Sequence, residues 1–154
     1  RISIQLRSLE PTLDYALDFN AEMSIKASLA SKFEKAIEYI EFIPKDDEYS
    51  TQTALIELAY DASRKGKSDL CILSLRKIEA LWPGLAVTNS ALIIVIEALI
   101  DNCLLSDEIS KEDLGSILQL ADELRLPDIL PDDKYEYPPE FHKEVIRKLS
   151  KLKI

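Results

Sequence analysis

Glycine is scarce in this chain of 154 residues, with only Gly66, Gly84 and Gly115. A β-rich fold or a phosphate-cradling enzyme needs more glycine than this, for tight turns and close backbone approach. Cysteine is rarer still. Cys71 and Cys103 both sit in apolar stretches and read as buried reduced thiols, since two cysteines in a chain of this size make no disulfide scaffold. There is one histidine, His142, and no second histidine or cysteine at metal-ligand spacing beside it. A di-iron bundle would need Glu-x-x-His on two helices, and a Cys–His nucleophile pair would need an accessible cysteine. The sequence contains no G-x-S-x-G, P-loop, dinucleotide fingerprint or EF-hand loop. These gaps predict a non-enzyme without metal or cofactor. The longest apolar stretch, 91–105, is interrupted by Glu97, Asp101 and Asn102 and is too short to span a bilayer. It predicts a buried helix in a soluble, cytoplasmic chain.

Positive charge is in deficit. Nineteen basic against 28 acidic side chains leave a net charge of −9, which repels a phosphate backbone and makes nucleic acid an unfavourable partner. The imbalance is local. Residues 101–140 hold 12 acidic and 3 basic side chains, whereas 141–154 hold 5 basic and 1 acidic.

Hydrophobic residues make up 47% of the chain, enough for one ordinary domain with its own core. Their spacing is helical. Residues 1–9 fit both a strand, through Ile2, Ile4 and Leu6, and a helical stripe, through Ile2, Leu6, Leu9 and Leu13; the helix is preferred because a lone strand has no partner. Pro11 suits the first turn of a short helix to Phe19. Asn20 is placed to cap a helix over 21–43, with Leu29, Phe33, Ala36, Ile37 and Ile40 inward and Glu34, Glu38 and Glu41 on a solvated face. A third helix covers 49–65 and stops at Gly66. Ser68 is placed to cap a fourth over 69–82, with Cys71, Leu75, Ile78 and Trp82 inward and Leu70, Leu73 and Leu81 widening that face. The fifth covers 90–105 and, being apolar nearly all round, needs neighbours on several sides. A sixth spans 111–125 and the last 139–152, separated by a Pro-bounded linker at 126–138. The expected fold is all-α: one domain over 1–154, with six to seven helices in a stack of antiparallel hairpins or an irregular bundle.

The hairpin 49–83 resembles a tetratricopeptide repeat, a helix-turn-helix unit of about 34 residues with small and large residues at fixed offsets. With Gly66 on the turn glycine, Leu55 takes the first large position and Leu58–Ala59 the large-small pair. Cys71 takes the small position of the second helix, Leu75 its large position and Pro83 the closing proline. Ala62 stands where the family has an aromatic and Ile78 where it has alanine, and neither flank shows a second copy at this spacing. A generic helical hairpin also accommodates the pattern. The resemblance implies a scaffold that binds proteins or peptides on a concave helical surface, without catalysis.

Two features point to partner contacts. The C-terminal helix is basic and amphipathic, and Lys148 and Lys151 are its candidate contacts for an acidic protein, a lipid surface being the weaker choice. The same helix could pack on the body, its lysines offsetting the acidic 101–140. Tyr135 and Tyr137, in the linker, are candidates to dock in a partner groove or to fold back on the domain. The chain starts at Arg1 rather than Met, so it reads as a processed chain or a piece of a larger protein, its partner being another protein or the rest of that parent. Two other readings stay open. One is a small acidic inhibitor or immunity-type protein masking a basic enzyme surface; the other is an enzyme or ligand-binding bundle with an unrecognised pocket.

Overall fold

A computed structural model describes residues 16–85, 90–105, 115, 118–120, 143–144, 147–148 and 150–151. The described residues are all-α and contain no strand. Five helices are complete: α1 (Phe19–Leu29), α2 (Phe33–Glu41), α3 (Glu48–Arg64), α4 (Ser68–Leu81) and α5 (Ser90–Leu105).

The helix expected over 21–43 is two helices. Its apolar residues keep helical spacing across the break, but the chain reverses at Ala30–Lys32, where Ser31 has φ +64°. The Ser31 amide donates to the Ser28 carbonyl at 3.0 Å and the Lys32 amide to the Ala27 carbonyl at 2.8 Å, the paired bonds of a Schellman stop. Leu29, counted in the inward stripe, lies outside it and is half exposed.

The same stop recurs 35 positions later. Gly66 takes the place of Ser31 with φ +75°, its amide donating to Ser63 at 3.3 Å, and the Lys67 amide donates to Ala62 at 2.8 Å. The bonds on either side also recur. Ala30 to Lys26 and Lys65 to Asp61 are both 3.1 Å; Ala36 to Lys32 and Cys71 to Lys67 are both 3.0 Å. The packing side chains keep the offset: Ala27 and Ala62, Ala36 and Cys71, Ile40 and Leu75, Ile43 and Ile78 are all buried. The hairpin 19–43 thus repeats the turn and these four buried positions of 49–83 at an offset of 35, although its helices are shorter, 11 and 9 residues against 17 and 14. Serine at the turn hides it, and Pro44 lies 39 positions before Pro83, out of register with the rest.

Hydrogen bonds fix the helix directions. Ser24 donates its hydroxyl to the Ala36 carbonyl at 2.9 Å and the Asn20 side chain donates to Phe42, so α1 and α2 run antiparallel. The Asp18 amide donates to the Ser50 hydroxyl at 2.9 Å, and the Ser28 hydroxyl donates to the Asp61 carboxylate at 2.7 Å. Bonds at both ends with nearly constant separation in sequence make α1 and α3 parallel neighbours. The Asn102 side chain donates to the Ser63 carbonyl, setting the last turns of α3 and α5 side by side. Helix α3 is the centre of the stack, packed against α1, α2, α4 and α5. Its Ala54, Leu55, Ile56, Leu58, Ala59 and Ala62 are buried, as are Val95, Leu99 and Ile100 of α5.

The caps differ from expectation. Asp18 rather than Asn20 caps α1, accepting from the Asn20 amide at 2.9 Å. Ser68 is the first helical residue of α4, whose cap position is Lys67. Asp47 caps α3, accepting from the amide and the hydroxyl of Ser50 at 3.0 and 2.7 Å.

The two turns give a paired prediction. No atom lies within 4 Å of where a Gly66 Cβ would stand, so Gly66→Ala meets only backbone strain and is expected to lower stability by about 1 kcal/mol. Ser31→Gly relieves the same strain and is expected to raise stability by about 0.5–1 kcal/mol, less than the full strain because glycine is more disordered when unfolded. Urea denaturation of both variants measures the two shifts.

Candidate docking groove and the Lys148 clamp

An apolar groove lies between α2 and α4, floored by α3. Ile37 and Ile40 form one wall, Leu70, Leu73, Ser74 and Lys77 the other, and Leu55 and Leu58 the floor. Its volume is about 80 Å³. That is small against the several hundred Å³ of a usual small-molecule site. It is the scale of one large apolar side chain.

Helical spacing explains the walls. On α4, Leu70, Leu73 and Lys77 share a stripe that continues to Leu81, one turn on. Cys71, Leu75 and Ile78 occupy the opposite flank, in the core. Leu73 and Leu81, expected to widen the buried face, are instead 64% and 51% exposed. The polar atoms of the wall are few, and the Ser74 hydroxyl already donates to the Leu70 carbonyl at 2.8 Å. On α2, Glu41 and Glu34 stand four residues after and three before Ile37, with Glu38 beside them, so the outer rim is acidic. All three are exposed, as the sequence predicted, and the 3.9 Å Lys35–Glu38 pair is a solvated surface contact.

Of the four residues singled out for partner binding, Tyr135 and Tyr137 lie outside the described residues, as does the linker 126–138. Lys148 and Lys151 are helical. Lys151 is exposed. The Lys148 ammonium sits between two carboxylates one turn apart on α5, 2.5 Å from Glu97 and 2.7 Å from Asp101, with 15% of its side chain accessible. Its charge is thus engaged within the chain. Arg147, its neighbour, pairs with Glu144 on the surface.

Burial pushes the Glu97 carboxyl above its usual value. The hydrogen bond from Lys148 opposes that rise, and the hydrogen bond and charge of Asp101 add to it. Burial pulls Lys148 down, but its hydrogen bonds to Asp101 and Glu97, with their charges, outweigh this and leave its pKa raised.

The sequence reading also missed two core carboxylates, Glu57 and Asp61, one turn apart on α3 and essentially inaccessible. They do not line the groove. Their spacing gave no signal, because acidic residues at i and i+4 ordinarily mark a solvated face. Among the described residues no group of three His, Cys, Asp or Glu is placed to hold a metal ion, and no helix is long and apolar enough to cross a membrane. Comparison of the chain with protein-family models, with curated proteins and with solved structures found no match.

The clamp predicts a pH-dependent penalty. Lys148→Met leaves Glu97 and Asp101 facing each other without a cation and is expected to cost about 1–2 kcal/mol at pH 7, between surface and fully buried pairs. An acid whose folded pKa is raised takes up a proton on folding. Its contribution is therefore most favourable below its unfolded pKa and declines as pH rises through the folded one. Removing Lys148 raises Glu97 further, so the gap between variant and parent is expected to shrink as the pH falls from 7 towards 5. Denaturation midpoints at both pH values test this; a gap that widens on acidification contradicts it.

Proposed function

We propose that this chain is a non-catalytic protein-interaction scaffold, a short tetratricopeptide-like array of helical hairpins that holds a partner protein in the groove between α2 and α4. The observation that carries this reading is the groove itself, where Leu73 stands 64% exposed beside an apolar depression of side-chain size. A large apolar side chain held in water at a rim costs free energy that a partner's burial recovers. The 35-residue recurrence of turn, bonds and core positions supports the repeat reading. Stacked hairpins expose long helical surfaces and use them for binding.

The test compares the parent with Leu73→Glu as bait in native lysate, with both proteins' thermal melts recorded. Position 73 is exposed, so the melts are expected to coincide. A protein held stoichiometrically by the parent and at least about tenfold depleted with the variant, as expected for a buried charge in an interface, supports the scaffold. Equal recovery with both baits, or no recovery with either, contradicts it.

A further inference from the structure

Resting on the docking reading above, we infer that the groove's occupant is an amphipathic helix with a basic flank, supplied by a partner protein. The groove chemistry selects a helix. An extended peptide would bring a row of backbone N–H and C=O groups against walls whose polar atoms are those of Ser74 and Lys77, with Ser74 already bonded to Leu70. Buried backbone groups without partners are costly, and a helix satisfies its own. The apolar stripe fits the same occupant. Leu70, Leu73 and Leu81 run along about three turns of α4, long enough to receive side chains at i, i+4 and i+7 of a bound helix, which span about two turns. The depression of about 80 Å³ takes the central one.

Charge sets the flank. Glu34, Glu38 and Glu41 form the exposed outer rim along α2, and Lys35 lies further round the helix, away from Ile37. The chain as a whole is at −9. A helix seated on Ile37, Ile40 and Leu73 with lysines or arginines towards α2 meets three carboxylates. One with acidic residues there meets like charge. On the other side Lys77 favours an acidic residue, which fixes the direction in which the occupant lies.

Two synthetic probes test this, each a fluorescein-labelled amphipathic helix of about five turns with leucines at i, i+4 and i+7. One carries lysines along a single flank of the stripe and the other glutamates at the same positions. Anisotropy titrations at low salt are expected to show the lysine peptide binding roughly tenfold tighter, the combined effect of three exposed pairs. Leu73→Glu is expected to weaken it at least tenfold, and the triple change E34K, E38K, E41K to reverse the preference. Equal binding of the two peptides, both weakened by Leu73→Glu, overturns the basic occupant and leaves the docking groove standing. Lysine-peptide binding that survives Leu73→Glu overturns both readings, because the peptide is then held by the general negative charge. A preference that survives the triple change overturns the inference, and so does failure of both peptides to bind.

Discussion

The stack depends on the register between α1 and α3, which two hydrogen bonds between them hold, one near each end. Asp47 caps α3 and accepts from the Ser50 hydroxyl, whose oxygen in turn accepts from the amide of Asp18, the cap of α1. Two helix starts are thereby tied through one hydroxyl. Ten residues along α1 from Asp18, Ser28 reaches the Asp61 carboxylate. Apolar burial alone would let two helices slide by a turn with little loss, since alanine and leucine packing is forgiving. Buried hydrogen bonds are not forgiving, because a slip would break the Ser28–Asp61 and Asp18–Ser50 bonds together. Once α1 and α3 are aligned, α2 and α4 follow as the return arms of matching turns. The groove is the space left between those arms over the face of α3.

The clamp at the other end works by different chemistry. Lys148 is joined to α5 as a cation shared by two carboxylates, and its geometry comes from the one-turn spacing of Glu97 and Asp101. This contact bridges the basic end of the sequence and the beginning of its acidic stretch, an asymmetry visible in the residue counts. Which lysine would meet which carboxylate was not visible, because helix spacing places five basic residues over several faces and only tertiary packing selects one.

Much of the architecture was legible as periodicity. The helices at 48–64, 68–81 and 90–105 fall within a residue of the sequence reading, since Gly66 and Pro83 punctuate them and their apolar stripes are regular. The break inside 21–43 was not legible. Its only local cause is Ser31 in a left-handed conformation, and serine carries no such signal. The groove was half legible. Leu73 and Leu81 stood out as apolar residues beyond the core stripe of α4, yet a sequence cannot distinguish a widened buried face from an exposed one. The acidic rim was read correctly as solvated, but its position against Ile37 has meaning only once α2 and α4 are separated by α3.

The shared Ser50 hydroxyl and the Ser28–Asp61 bond also bear on how the chain assembles during synthesis. The hairpin of α1 and α2 closes most of its own backbone bonds, but Asp18 and Ser28 find their partners only at positions 50 and 61. The shortest segment that satisfies these groups therefore runs from 18 to 61, so a nascent chain gains its first self-consistent unit when α3 leaves the ribosome. Helix α4 then adds to that preformed edge across the short turn at Gly66, where loop closure is cheap.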